Sequence, residues 1–198
     1  MSESSPVKTL LFASGNRHKT GEIQALIGSD FLVTDLSSLP SFQAPEENGA
    51  DFESNALIKA AAAAARSDAP VLADDSGLEV DALGGAPGVH TARYAGIGAT
   101  DSANRTKLLQ ALSGSSNRSA RFVCVLALIT QGTQPVTVRG EIRGRIALNE
   151  SGDGGFGYDP IFIPDGFEQS FAELPASLKN RISHRAVAMR KLRELGLP

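Results

Sequence analysis

RFVCVLALIT (residues 121–130), QGTQ (131–134) and PVTVRGEIRGRIAL (135–148) read as two long β segments joined by a turn. Val, Ile and Thr recur in both arms and Gly132 sits in the connection, which is the composition of a hairpin. Around this pair, short apolar runs alternate with stretches of helical spacing. Interleaved strands and helices alone would suggest a parallel α/β sheet. The hairpin makes the sheet mixed.

On the N-terminal side, Lys8 to Ala13 is an apolar run of strand length that leads into Ser14-Gly15-Asn16-Arg17-His18-Lys19. Ile23, Leu26 and Ile27 then recur at helical spacing. Amide donors at such a helix start favour an anion, but the Gly-Lys-Ser/Thr ending of a Walker loop is absent. A second helix is expected from an Asp51 cap through Asn55, Lys59 and the alanines Ala60 to Ala65, stopping near Ser67 to Pro70. Asn55 and Lys59 stand four apart on one face, directed either to solvent or to a phosphate or metal site. Val71-Leu72-Ala73 reads as a buried strand ending in Asp74-Asp75-Ser76-Gly77, and strand ends are where open α/β sheets place ligands. Leu78 to Ala82 alternates as a further strand, and Gly84 to Gly88 turns the chain. Thr100 or Asp101 caps a helix through Leu108, Leu109 and Leu112 that ends at Ser113-Gly114.

On the C-terminal side come the loop Gly154-Gly155-Phe156-Gly157-Tyr158-Asp159-Pro160 and a strand Ile161 to Ile163. A helix after Ser183 follows, with Val187, Met189, Leu192 and Leu195 among its apolar positions. No repeat or linker divides the chain, so residues 1–198 are expected to form one domain with two lobes.

Hydrophobic residues make up 41% and charged residues 21% of the chain, which is the balance of a soluble globular protein. A net charge of −3 argues against a general nucleic-acid surface, which needs a basic stripe. Cys124 is the only cysteine, so no disulfide forms within the chain; its apolar surroundings suggest a buried thiol. The apolar run Phe122 to Ile129 is far shorter than the roughly 20 residues of a membrane span, and Met1 to Pro6 is polar, without a signal-peptide core. A cytoplasmic protein is expected.

Three groups of residues suggest chemistry. In the loop Gly154 to Pro160, glycines permit positive φ or close approach, and an aromatic face can stack on a planar base at about 1–3 kcal/mol. Phe156 is either that face or the buried side chain of a glycine-rich bulge. Glu46-Glu47 and Asp74-Asp75 are either solvated acidic turns or donors to a hard cation such as Mg²⁺, which takes one or two carboxylates plus phosphates. Lys179, Arg181, His184 and Arg185 form a basic cluster; if Ser183 caps the last helix, the last two are cations at its unfavourable end. His18, His90 and His184 lack metal-ligand spacing, and no Ser/His/Asp triad can be assembled.

The ordered motifs resemble the inosine triphosphate pyrophosphatase family, in particular its bacterial branch acting on dITP, ITP and XTP. They are Ser14-Gly15-Asn16 with Lys19; Glu46-Glu47-Asn48-Gly49 with Phe52, Asn55 and Lys59; and Ala73-Asp74-Asp75-Ser76-Gly77-Leu78. After these come Gly84 to Gly88, Ala92-Arg93-Tyr94, Gly154 to Phe162, and Ser183-His184-Arg185. The resemblance implies an elongated mixed β-sheet with flanking helices, forming two lobes around a central cleft. It implies hydrolysis of a nucleoside triphosphate to the monophosphate and pyrophosphate, with Mg²⁺ as cofactor and a homodimer as assembly. By similarity Asp75 is the proton acceptor and a metal ligand, with Glu46 or Glu47 completing the metal site and Asn55, Lys59 and Asp74 in support. Ser14, Gly15, Asn16, Arg17, His18, Lys19, Ser76 and Lys179 would hold the triphosphate. Phe156, Gly157, Tyr158, Asp159, His184 and Arg185 would hold the nucleoside. Many relatives carry a glutamate directly before the helix asparagine; here Ser54 stands there and Glu53 one place earlier, about 100° around the helix. Competing expectations are a pyrophosphatase for other modified nucleotides and a catalytically silent nucleotide-binding module.

Overall fold

The computed structural model describes residues 8–196, so the polar segment Met1 to Pro6 lies outside the described residues. β1 (Lys8–Phe12) leads through α1 (Arg17–Ile27) to β2 (Phe31–Asp35), then α2 (Phe52–Ala64), β3 (Val71–Val80) and α3 (Asp101–Ala111). β4 (Ser119–Ile129), β5 (Val136–Ile146), β6 (Phe162–Pro164), α4 (Ala176–Ile182) and α5 (His184–Glu194) complete the order. The strands stand as β2-β1-β3-β4-β5-β6. β1 is parallel to β2 and to β3, whereas β5 and β6 are antiparallel, so the sheet is mixed as the hairpin requires.

The caps expected of α2 and α3 are observed, and α1 has a cap of its own in Asn16. Asn16 Oδ1 accepts from the amides of His18 and Lys19 to open α1, Asp51 caps α2 through the Ser54 amide, and Thr100 caps α3 through that of Ala103. Each replaces a hydrogen bond that the first helical turn lacks.

The principal correction concerns β3. Val71 to Val80 is one continuous strand, so Asp74 and Asp75 lie inside it and not at a strand end. Asp and Gly are poor strand formers, but Val71, Leu72, Ala73, Leu78 and Val80 are fully buried on either side of the carboxylates. That burial carries the strand through them. β2, absent from the expected elements, is a half-exposed edge strand, and Leu32 in it is largely exposed. α4 is also additional, a short helix whose only buried residue is Lys179. In α5 the buried apolar positions are Ala186, Ala188, Met189 and Leu192; Leu195, just past its end, is exposed, contrary to expectation.

The chain divides into two compact units. One takes in the described residues through Asp74, together with Val125–Val138 and the described residues from Met189 onward; the other is Asp75–Cys124 with Arg139–Ala188. In the first, Leu10, Leu11 and Phe12 of β1 and the opening of β3 are buried, α1 contributes Ile23 and Ile27, and α2 contributes Phe52, Ala56, Ala60 and Ala63. The alanines bury one stripe of α2 with little side-chain entropy to lose. The second has its own core of Leu78, Val80, Leu108, Leu112, Phe122, Ile146, Ile161, Phe162 and Phe171. Phe162 lies 4.6 Å from Phe122 and 5.2 Å from Phe171, ring centre to ring centre, in tilted arrangements that aromatic quadrupoles favour. Cys124 is buried, and among the described residues no helix is long and apolar enough to cross a membrane.

Candidate active site

The glycine loop belongs to the second unit and is held by its own aspartate. Gly155 and Gly157 have φ of 70° and 62°, where a side chain is strained, and a Cβ on Gly155 would run into the Asp159 carboxylate. Asp159 Oδ2 accepts from the Phe156 amide at 2.8 Å, in part-buried surroundings, and from Lys179 Nζ at 2.5 Å, in buried ones. Phe156 is half-buried, so it is not the core residue of a bulge. Lys179 Nζ lies 4.8 Å from the centre of its ring and Arg185 Cζ 5.6 Å, both within cation–π range. Tyr158 is buried; its hydroxyl donates to the Thr91 carbonyl at 3.0 Å. Burial pushes its phenol well above the usual range, which keeps that donor protonated.

His184 and Arg185 open α5, and Ser183 Oγ accepts from the Ala186 amide at 3.2 Å, as expected of a cap. Both residues are almost wholly buried, which excludes a solvated helix start. The His184 ring lies nearly parallel to Phe122, 4.9 Å away at 13°. Arg185 Nη2 donates to Ser76 Oγ at 3.1 Å, so the residue after Asp75 is tied to the guanidinium facing the Phe156 ring. Asp75 is buried on β3 beside Ser76, while Arg181 is exposed.

In the first unit, Ser14 Oγ accepts from the Asn16 amide at 3.1 Å, and Asn16 in turn caps α1. Gly15, Asn16, Arg17 and His18 are exposed at this helix start. Lys19 Nζ donates to buried Asp74 Oδ1 at 2.5 Å, a 55-residue link between the first loop and β3. Asn55 is buried and its Oδ1 accepts from the Gly49 amide at 2.8 Å; Lys59 Nζ is 3.6 Å from Glu47. Both residues of that α2 face therefore hold the Glu46–Gly49 loop. Glu53 accepts from Thr137 Oγ1 at 2.6 Å and points to β5, so it does not stand in for the glutamate that Ser54 replaces.

Glu46, Glu47 and Asp75 are oxygen donors of the kind that Mg²⁺ selects. Among the described residues, however, no three or more His, Cys, Asp or Glu are gathered as a ready ligand group. Each of these carboxylates, taken singly, is of the type that a cation completing its shell with water and phosphate oxygens uses.

Sequence reasoning missed Asp101, Arg105 and Glu150. Asp101 Oδ2 accepts from the Gly157 amide at 2.8 Å, Arg105 Nη1 donates to the Gly157 carbonyl at 2.8 Å, and Arg105 Nη2 meets Glu150 at 2.9 Å. The available signal was the spacing of an acid and a base four apart on α3.

The Ham1 family model matches residues 10–195. A dITP/XTP pyrophosphatase of Methylococcus capsulatus is 50% identical over 186 residues, covering 91% of this chain and 92% of that protein. One from Exiguobacterium is 46% identical, covering 92% and 94%. The solved structure of the Staphylococcus aureus Ham1 protein aligns with a TM-score of 0.85 at 40% identity, covering 95% and 97%. A HAM1 protein from Coxiella burnetii aligns equally well, covering 95% and 98%.

Proposed function

The chain belongs to the Ham1 family, and on that premise we propose that it hydrolyses dITP, ITP and XTP to the monophosphate and pyrophosphate; its curated relatives are named dITP/XTP pyrophosphatases. The observation that carries this reading is the half-buried Phe156 ring, flanked by Lys179 and Arg185 and fixed by Asp159. Such a ring is a platform for a base. The Phe156 and Gly157 amides are committed to Asp159 and Asp101, and Arg185, which lies beside the Phe156 ring, is the donor this reading assigns to a purine 6-oxo group. Adenine presents an amino group there, and a buried donor facing a donor is a strong ground for rejection.

By the resemblance the triphosphate is assigned to the start of α1, where Arg17 and His18 are exposed and Lys19 is paired with Asp74. By the resemblance Ser76 contributes a hydroxyl and Lys179 a positive charge that it shares with Asp159. Asp75 accepts the proton of the attacking water, a role worth about 10² to 10⁴ in rate. Asp75 with Glu46 or Glu47 would hold Mg²⁺, which supplies charge neutralisation on the phosphates. Lys59 orients Glu47, and Asn55 fixes the loop that carries it. A cytoplasmic homodimer completes the proposal.

Asp75→Asn tests it. Turnover of ITP should fall at least a hundredfold, with equilibrium binding of ITP within a few-fold of the parent protein, and phosphorus NMR of parent reactions should show pyrophosphate as the product. Near-normal turnover by the variant would exclude Asp75 as the base.

A further inference from the structure

The peptide of Gly157 is grasped at both ends by one helix. Asp101 and Arg105 stand one turn apart on α3, the first taking the amide of Gly157 and the second its carbonyl, each at 2.8 Å. Glu150 aligns the guanidinium at 2.9 Å, and Arg105 keeps 14% of its side-chain exposure. Buried Arg105 Nε has no hydrogen-bond partner among the described residues, so the alignment depends on the two terminal nitrogens. Phe156 is thus pinned on both sides, by Asp159 at its own amide and by α3 at the next peptide.

A loop with positive φ at Gly155 and Gly157 has many unfolded conformations to lose, and glycine loses most on ordering. Without the α3 contacts, a bound base would have to order the Phe156 ring itself. The cost would appear in binding. We infer that Asp101 and Arg105, aligned by Glu150, are positioning residues that preset the Phe156 ring for the purine. This rests on the base-platform reading above. Neither residue touches the substrate in this account; each acts through the Gly157 peptide. Asp101→Asn keeps an oxygen that can accept from the Gly157 amide, whereas Asp101→Ala does not.

The test combines amide exchange at Gly157, measured by NMR without substrate, with steady-state kinetics on ITP. Asp101→Ala should accelerate exchange at Gly157 at least tenfold and raise KM for ITP about tenfold, with kcat within twofold. Asp101→Asn should stay close to the parent in both. Arg105→Ala, which keeps the acid at the start of α3, should raise KM in the same way and serves if Asp101→Ala does not fold. Unchanged exchange at Gly157 in Asp101→Ala would overturn the clamp. Accelerated exchange with unchanged KM, or equal damage from Asp101→Asn and Asp101→Ala, would overturn the positioning role. No turnover of ITP by the parent would instead refute the functional reading, and exchange at Gly157 would still decide the clamp.

Discussion

Replacing Lys179 by methionine removes a charge but keeps most of an apolar stem of similar length. The ammonium lies 2.5 Å from Asp159 Oδ2, and the side chains retain only 6% and 4% of their exposure. A carboxylate so buried, deprived of its countercharge, costs about 3–5 kcal/mol when one partner of the pair is removed. For a chain of this size about 2–4 °C of melting temperature accompanies each kcal/mol, so Lys179→Met should melt roughly 6–20 °C lower. The loss is specific to the pair. Asp159→Asn in the same background relieves the stranded charge and still offers the Phe156 amide an oxygen, so the double variant should recover part of the stability. Urea titration of the parent, the two single variants and the double variant gives the coupling directly. A Lys179→Met loss below about 1 kcal/mol, or a double variant whose loss equals the sum of the singles, would refute the claim that this buried pair sets the loop.

Gly140 tolerates no side chain: a Cβ would collide with the His184 carbonyl and Ala188 amide at the start of α5. Gly140→Ala should lower stability by about 1–3 kcal/mol and reduce the fraction of active protein, as read by thermal melts and active-site titration. A melting temperature within a degree of the parent would contradict that packing. Acid sensitivity should follow two exposed carboxylates held below their usual range by backbone amides, Asp51 by that of Ser54 and Glu173 by that of Ser170. Their contribution is fully present above the unfolded values near pH 4 and is lost as the pH falls through the lowered folded values. Because Asn caps a helix about as well as Asp, Asp51→Asn should lose stability less steeply than the parent below pH 4. Identical slopes in melts from pH 5 to 2.5 would count against it.

Features that depend on local chemistry were legible in the sequence. The Asp51 cap before six alanines, the Gly132 connection and the Ser183 cap each have a mechanism within a few residues, and each element appears as expected. The mixed sheet followed from the hairpin segments alone. β3 was read wrongly because two aspartates and a glycine look like a strand end, whereas burial of the residues on both sides continues the strand. β2 escaped because a half-exposed edge strand needs little apolar patterning. In the candidate site, residue types could be picked out from the sequence but their partnerships could not. Lys19 with Asp74 and Lys179 with Asp159 are pairings across 55 and 20 residues, and Asp101 reaches Gly157 across 56. No short-range pattern encodes such links; only the fold brings them together.

The central claim is that the pocket around Phe156 selects 6-oxo purine triphosphates for cleavage to monophosphate and pyrophosphate. Pyrophosphate release from ITP, XTP, dITP, ATP and GTP, measured with one enzyme preparation as kcat/KM, tests it most directly. ITP, XTP and dITP should be strongly favoured over ATP, whose amino group meets the Arg185 donor; GTP shares the 6-oxo group, so that contact does not separate it from them. Turnover of ATP equal to that of ITP, XTP and dITP, or orthophosphate as the released product, would contradict it.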